Sequence, residues 1–182
     1  DDVAADHWAA GYIAWGVAGN IINGVGDNKF DPDANVKFQD AVVMILRALG
    51  YERIAQRSEN GGYPTGYLKV ASQRGVLAST NFDGATAATR EVVAQVIYNA
   101  LTTPLVDVSY YAPNPKDDEY VVYDGKNGTD LRTLLTYTNE IYKVKANVEN
   151  TAKTDENLRK DIDNPKAELD IIGTYDYYWD EI

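Results

Sequence analysis

The sequence predicts an α+β protein: a helical module of two helix-loop-helix units, followed by a small β-rich domain. Three observations carry that expectation. A degenerate internal repeat fills the chain up to Thr103, each copy places apolar residues at helical spacing, and beyond Thr103 that period gives way to alternation in Val and Tyr. The repeat is legible once HWAAGYI (His7 to Ile13) is written above GYPTGYL (Gly62 to Leu68). Trp8, Gly11, Tyr12 and Ile13 then fall over Tyr63, Gly66, Tyr67 and Leu68. NIIN (Asn20 to Asn23) falls over GVLA (Gly75 to Ala78), and after a shorter loop in the second copy Phe30 meets Phe82. VKFQDAVVMILRAL (Val36 to Leu49) meets ATREVVAQVIYNAL (Ala88 to Leu101). Each unit needs a neighbour to cover its apolar face, which favours an interaction module over a single catalytic pocket.

In the first copy Trp8, Tyr12, Ile13, Trp15 and Val17 predict a mainly apolar helix from about His7 to Ala18, with Asp6 as the N-cap acceptor. Gly19 and Asn20 supply the left-handed residue that a helix end favours. GVGDNKFDPDANV is turn chemistry: Gly24 and Gly26 permit positive φ, Asp27 and Asn28 can bond their own backbone, and Pro32 fixes a bend. A second helix from about Gln39 to Leu49 presents Val42, Val43, Ile45, Leu46 and Leu49. A linker rich in charge and glycine, Glu52 to Gly62, leads to helices near Pro64 to Gln73 and Thr89 to Leu101, with Thr89 as N-cap and Glu91 in the favourable first turn. Farther on, VDVSYY (Val106 to Tyr111), EYVVYD (Glu119 to Asp124), IYKVKANVEN (Ile141 to Asn150) and AELDIIGTYDYYW (Ala167 to Trp179, broken at Gly173) read as strands. Asn114 and Pro115 suit a loop, and DLRTLLTY (Asp130 to Tyr137) a short helix capped by Thr129 or Asp130.

At 182 residues the chain holds one large domain or two small ones, and a repeat ending near Leu101 favours division. The expected boundaries are 1–55 and 56–103 for the copies and 104–182 for the β-rich remainder. There is no cysteine, which removes disulfide staples, thiolate metal sites and a cysteine nucleophile, and fits an exported protein. No secretory apolar region and no run of membrane-spanning length is present, so the chain reads as a mature fragment or a soluble protein without membrane insertion. The formal charge of −11 argues against a nucleic-acid partner, because phosphate neutralisation needs clustered Lys and Arg. The same charge repels an anionic polymer at long range, so any such ligand requires a local cationic pocket.

Asp2, Val3, Trp8, Gly11 to Ile13, IINGVGDNKFDPDANV (Ile21 to Val36), and Thr89, Arg90 and Glu91 at the start of the last repeat helix resemble S-layer homology repeats. GGYPTGYL and VAQVIYNAL have close counterparts in the clostridial branch of that family. The resemblance covers about residues 1 to 103. It implies a non-covalent anchor to secondary cell-wall polysaccharide of Gram-positive bacteria, often to pyruvylated sugars, and a location outside the cell at the wall or S-layer. Such modules commonly work as three repeats in one pseudo-threefold body. Because the chain opens inside a motif that usually begins with an aromatic, a third repeat beyond Asp1 is expected, with self-assembly as another partner expectation.

In that family a Thr-Arg-Ala/Glu motif supplies an arginine to the polysaccharide site, and Thr89, Arg90 and Glu91 match it. A guanidinium fork binds a ketal carboxylate through two charge-assisted bonds, and the helix N-terminus adds partial positive charge. The alternative for Arg90 is pairing with Glu91 or capping a neighbouring helix. In the first copy the same positions are Lys37, Phe38 and Gln39, so an aromatic replaces the arginine, to stack on a sugar or to be buried against the other copy. Trp8 is either a sugar platform or core. Gly24, Gly26 and Asp27 lie in the loop that approaches ligand in family members, and turn geometry alone also accounts for them.

No cofactor is expected. The acidic loop of Asp27, Asp31, Asp33 and Asn35 fails the calcium-loop spacing, with Lys29 at the third position and no glycine at the sixth. His7 is the single histidine and has no second His or Cys with which to build a zinc site. Three functions follow in order: a wall anchor that is not an enzyme, an exported wall-polysaccharide enzyme carried by these repeats, and a structural assembly subunit that has lost sugar binding.

Overall fold

The computed structural model describes residues 2–81, 83–126, 128–139, 141–151 and 167–179. The Phe82 match and residues 152–166 of the expected β-rich domain lie outside them. The chain is mixed α+β and divides into two compact units, Asp1–Leu134 and Leu135–Ile182.

The first unit opens with α1, Ala10–Ala18. Asp6 does not cap it; the cap position is Ala9, without a side-chain bond, and the His7 ring instead accepts from the Ala9 amide at 3.2 Å through Nδ1. The helix starts later than expected, after a turn in which Ala10 N donates to His7 O at 2.9 Å. At its C-terminus Ile21 N donates to Gly16 O at 2.9 Å, and Asn20, at φ 54, takes the left-handed position while Gly19 stays on the ordinary side at φ −82. α4 (Thr65–Gln73) ends identically: Val76 N reaches Ala71 O at 2.9 Å and Gly75, which aligns with Asn20, has φ 77.

α2 (Phe38–Ala48) and α5 (Arg90–Leu101) are the second helices of the two copies. Just before them the chains pair: Phe38 N donates to Thr86 O at 2.9 Å, Ala88 N to Val36 O at 2.8 Å, and Lys37 bridges Ala87. α2 turns Phe38, Val42 and Leu46 inward, and these meet Tyr67, Val70 and Ala71 of α4 and Val96 and Ala100 of α5 in one core cluster. α1 contributes nothing to that cluster.

The expected linker is a structural element. α3 (Glu52–Ala55) occupies it, and its single turn places Ile54 and Ala55 in the core beside Tyr51 while Glu52 and Arg53 lie half-buried, paired with Arg47 and Asp118. The spacing of those two apolar residues is the signal that charge and glycine masked.

β1 (Val106–Tyr110) and β2 (Glu119–Val122) form an antiparallel hairpin, Val106 opposite Val122, with an irregularity between Val108 and Tyr110. Its loop contains a 3-10 turn, Pro115–Asp117, capped by Asn114. Asp118, just after it, is buried, accepting from Arg53 Nε at 2.7 Å, Arg53 Nη2 at 2.9 Å and the Ala112 amide at 2.8 Å. The boundary expected after Thr103 is therefore not where the compact units divide. Val106 N donates to Leu49 O at 3.0 Å, Val106 sits in the core, and Leu105 and Val122 pack against it. The helical period does stop at Thr103, but the hairpin's apolar side closes the same core. At the other end Asp2 ties the amino terminus down, its carboxylate accepting from Phe30 N at 2.8 Å and Asp31 N at 2.6 Å.

The expected helix at Asp130 to Tyr137 is shifted to α6, Leu134–Asn139, which spans the division. Leu131 instead bridges Asp124, and Arg132 N donates to Tyr123 O at 3.0 Å, so extended pairing takes the residues that the sequence assigns to a first helical turn. In the second unit β3 (Ile141–Thr151) pairs antiparallel with β4 (Ala167–Trp179), from Ile141 opposite Trp179 to Thr151 opposite Ala167. β4 is continuous. The break expected at Gly173 takes the form of a register shift, Val144 facing Asp176 while Lys145 faces Gly173.

Candidate functional site

Thr89 has extended backbone at φ −76 and ψ 155, and its hydroxyl accepts from Val92 N at 3.2 Å, which starts α5 cleanly and fixes where Arg90 and Glu91 leave the backbone. Both side chains are exposed at the rim of an open groove of about 680 Å³. Its far wall is the first copy's Ala34, Asn35 and Val36, held there by the Ala88 to Val36 hydrogen bond; Val93, Ala94 and Ile97 make the floor along α5. Arg90 forms no ion pair among the described residues, so the expected alternative of a pair with Glu91 is not made. A guanidinium, the first turn of a twelve-residue helix and an apolar floor suit a ligand with one anionic group and a less polar body.

The aligned position in the first copy behaves oppositely. Phe38 is 2% exposed in the core, which removes it as a sugar contact in this chain.

Gly24 belongs to a different groove, about 470 Å³, which also has Val36, Asp40, Met44, Arg47 and Tyr63 on its walls. Gly24 is not among the residues with positive φ, contrary to expectation. Its constraint is space, since a Cβ there would stand 2.4 Å from the Lys29 carbonyl oxygen. Gly26 does have positive φ, 103, and with Asp27 at φ 51 and Asn28 at φ 55 it makes the tight turn closed by Lys29 N to Gly26 O at 2.8 Å. On the other wall the Tyr63 hydroxyl donates to Asp40 Oδ1 at 2.8 Å and accepts from Gln39 Nε2 at 2.9 Å. The hydrogen bond to the Asp40 carboxylate holds the phenol above its usual range.

Trp8 stands in solvent, 79% exposed, with the His7 ring 5.8 Å away, and lines neither groove. The sequence-derived set is thus divided: Arg90 and Glu91, with Thr89 behind them, share one groove; Gly24 lines another; Trp8, Gly26 and Asp27 line neither. Sequence reasoning missed Asn35 and Val36 as the opposite wall, and the Gln39–Tyr63–Asp40 network. The first could be found only from the cross-copy pairing, whereas Tyr63 aligning with Trp8 was a usable pointer to the second. Among the described residues no group of three or more His, Asp or Glu is placed to hold a metal ion. No described helix is long and apolar enough to cross a membrane.

The model of the S-layer homology domain matches residues 1–42, which run from the amino terminus through α1 and its loop into α2. A "Cell surface protein" of Thermoanaerobacter kivui is 31% identical over 105 residues, 58% of this chain and 13% of that protein. A "Middle cell wall protein" of Brevibacillus brevis is 33% identical over 106 residues, again 58% of this chain and 10% of the relative. A "Surface layer protein" of Brevibacillus choshinensis is 32% identical over 80 residues, 44% of this chain and 7% of the relative. The chain therefore spans a small part of the length of these relatives. No solved structure matches it. Residues 1–42, in which Trp8, Gly11, Tyr12 and Ile13 precede a glycine- and aspartate-rich loop, are thus similar to the S-layer homology domain.

Proposed function

We propose that this chain is a non-covalent cell-wall anchor with two S-layer homology repeats, 1–55 and 56–103, of which the second holds secondary cell-wall polysaccharide. Its place is extracellular, at the cell wall, as for the surface proteins to which it is similar. Support for the second repeat comes from geometry: α1 and α4 end in the same hydrogen bond and the same left-handed residue, at aligned positions. The observation that carries the reading is Arg90, exposed and unpaired among the described residues at the start of α5, over an apolar floor. A pyruvate ketal offers a carboxylate for the guanidinium and a sugar ring for Val93 and Ile97. With a chain charge of −11, this local cation has to work against the overall field, so binding weakens as salt screens the pair.

Pull-down on purified walls, with and without prior extraction of the polymer, tests the anchor: retention should disappear on extracted walls. Arg90→Ala should cost about 1.5–3 kcal/mol, roughly ten- to hundredfold in affinity for a pyruvylated wall fragment, with the fold intact. Unchanged affinity in the folded variant would favour the second reading, a structural assembly subunit without sugar binding, for which the burial of Phe38 at the first copy's arginine position speaks.

A further inference from the structure

Where α1 and α2 end, the β1–β2 hairpin helps to wall a polar cleft of about 410 Å³, a size that holds one small ligand. Asn20 after α1, Arg47 in the last turn of α2, and Glu52 and Arg53 of α3 line it from the helical side, and the hairpin adds Val108 and Tyr111. It has no residue in common with the groove of Arg90. The charges in it are already matched. Arg47 Nε donates to Glu52 Oε1 at 2.8 Å, and Arg53 holds Asp118 through Nε and Nη2. With its amide turned to satisfy its neighbours, Asn23, also on the wall, accepts from Arg47 Nη1 at 3.2 Å. Among the described residues no hydrogen bond uses Arg47 Nη2 or Glu52 Oε2, so this pair keeps one donor and one acceptor in reserve. The two side chains are 17% and 32% exposed, and hydrogen bonds made there gain from the partial exclusion of water. Tyr111 stands 66% exposed, with the Arg53 guanidinium 5.7 Å from its ring centroid.

We propose that this cleft binds a neutral sugar unit, separately from the groove of Arg90, and that binding is linked to closure of the hairpin. A pyranose has an apolar C–H face for the Tyr111 ring, and adjacent hydroxyls, each donor and acceptor at once, for the guanidinium, carboxylate and amide groups. Asn20 offers such an amide from a left-handed position, φ 54, which few residues other than Asn and Gly accept. Charge decides against the alternatives. A carboxylate ligand has to compete with Glu52 for Arg47 and with Asp118 for Arg53, and a cationic ligand meets both guanidiniums. Arg53 lines the cleft and also grips the hairpin through Asp118, so a ligand that touches both sides stabilises the seated hairpin by mass action. Arg90 does not enter this argument, which stands apart from the reading of the chain as an anchor.

NMR titration of the intact chain with methyl glucoside, methyl galactoside and N-acetylglucosamine, and with glucuronate as the charged counterpart, tests this. A neutral sugar should give saturable shifts at the side-chain amides of Asn20 and Asn23 and at the Tyr111 ring, with little dependence on salt. The amides of β1 should exchange more slowly in its presence. Tyr111→Ala and Asn20→Gly should each weaken binding roughly tenfold, the second while keeping the left-handed turn, and Tyr111→Phe should retain it. Both side chains are exposed, so circular dichroism should match the parent; should Tyr111→Ala loosen the hairpin, Asn20→Gly reads the cleft from its helical side. No saturable shift with any of the neutral sugars overturns the proposal, as do shifts confined to the groove of Arg90. Glucuronate held more tightly than the neutral sugars and released by salt overturns it in favour of an anion site. Unchanged affinity in a folded Tyr111→Ala and in Asn20→Gly overturns it as well. Titration with a pyruvylated wall fragment is a separate reading: a chain that binds a neutral sugar but no fragment keeps the cleft and loses the anchor, and the reverse result loses the cleft alone.

Discussion

α1 and α4 share an aligned Gly-Tyr-aliphatic core and the same C-terminal hydrogen bond, yet Tyr67 is 2% exposed while Tyr12 is 76% exposed. Gly66 lies against the Ala55 carbonyl, where a Cβ would come within 2.1 Å, whereas a Cβ on Gly11 would meet nothing within 4 Å. Local sequence sets the helix, its polarity and its end. Burial is decided by whether a helix of the α2 kind lies alongside, and of these two helices α4 has one among the described residues. An apolar helix face is thus evidence of a partner without being evidence that the partner is in the same molecule.

The largest test of that contrast is a pair of truncations. Tyr67→Ala should destabilise by about 3–5 kcal/mol, since it empties core and removes the hydroxyl that lies 3.1 Å from Glu52 Oε1. Tyr12→Ala in the monomer should stay within about 0.5 kcal/mol. Denaturant melts giving equal losses would break the comparison. Phe38→Ala belongs with Tyr67 in size, about 3–5 kcal/mol, and should affect ligand only through unfolding.

Next come the aligned glycines. Gly66→Ala forces backbone against backbone and should cost at least about 1–3 kcal/mol. Gly11→Ala should raise thermal stability, by up to about 1 kcal/mol, because alanine favours a helix interior and the space is open. A fall in melting temperature for Gly11→Ala would show that α1 is already covered in the monomer.

A smaller contrast separates the helix starts. Thr89→Ala should cost about 1 kcal/mol through the lost bond to Val92, while Lys37→Ala, at a cap with no side-chain bond, should change little. The last prediction concerns pH. Hydrogen bonding from Arg53 holds the Asp118 carboxyl below its usual range, and backbone donors from Asp31 and Phe30 do the same for Asp2. Each group contributes stability that is fully present above the ordinary aspartate value of about 3.9 and is lost as pH falls through its lowered folded value. Acid unfolding of Asp118→Asn should therefore be shallower than that of the parent below that value. An unchanged acid limb would mean that the pair contributes nothing.

Helices and strands were largely legible because their signals are local. Thr89 before an apolar period marked α5, and the Val and Tyr alternation marked β1 and β2. α3 was hidden because a single turn carries too few residues for a period, and the charged Glu52 and Arg53 read as linker. The division of the compact units after Leu134 was not legible for a similar reason: the change of period at Thr103 is real, but Val106 joins the helical core through a contact with Leu49 that no spacing announces. Of the site, Arg90 could be read from its motif. The opposite wall could not, because Asn35 and Val36 face it only through pairing across the two copies. The Arg53–Asp118 pair joins residues 65 positions apart, beyond the reach of any window.

That pair changes how the first unit comes apart. A two-stranded hairpin in water is marginal by itself and would be expected to flicker open and shut independently of its surroundings. Here Val106 is seated in the core, Asp118 is gripped by Arg53, and Arg57 donates to the carbonyls of Pro115 and Asp118. Opening the hairpin strips a buried carboxylate of its donors and exposes the floor beneath Leu49. The hairpin and the core helix α2 consequently share one opening event: the slow amides of β1 should exchange on the timescale of those of α2.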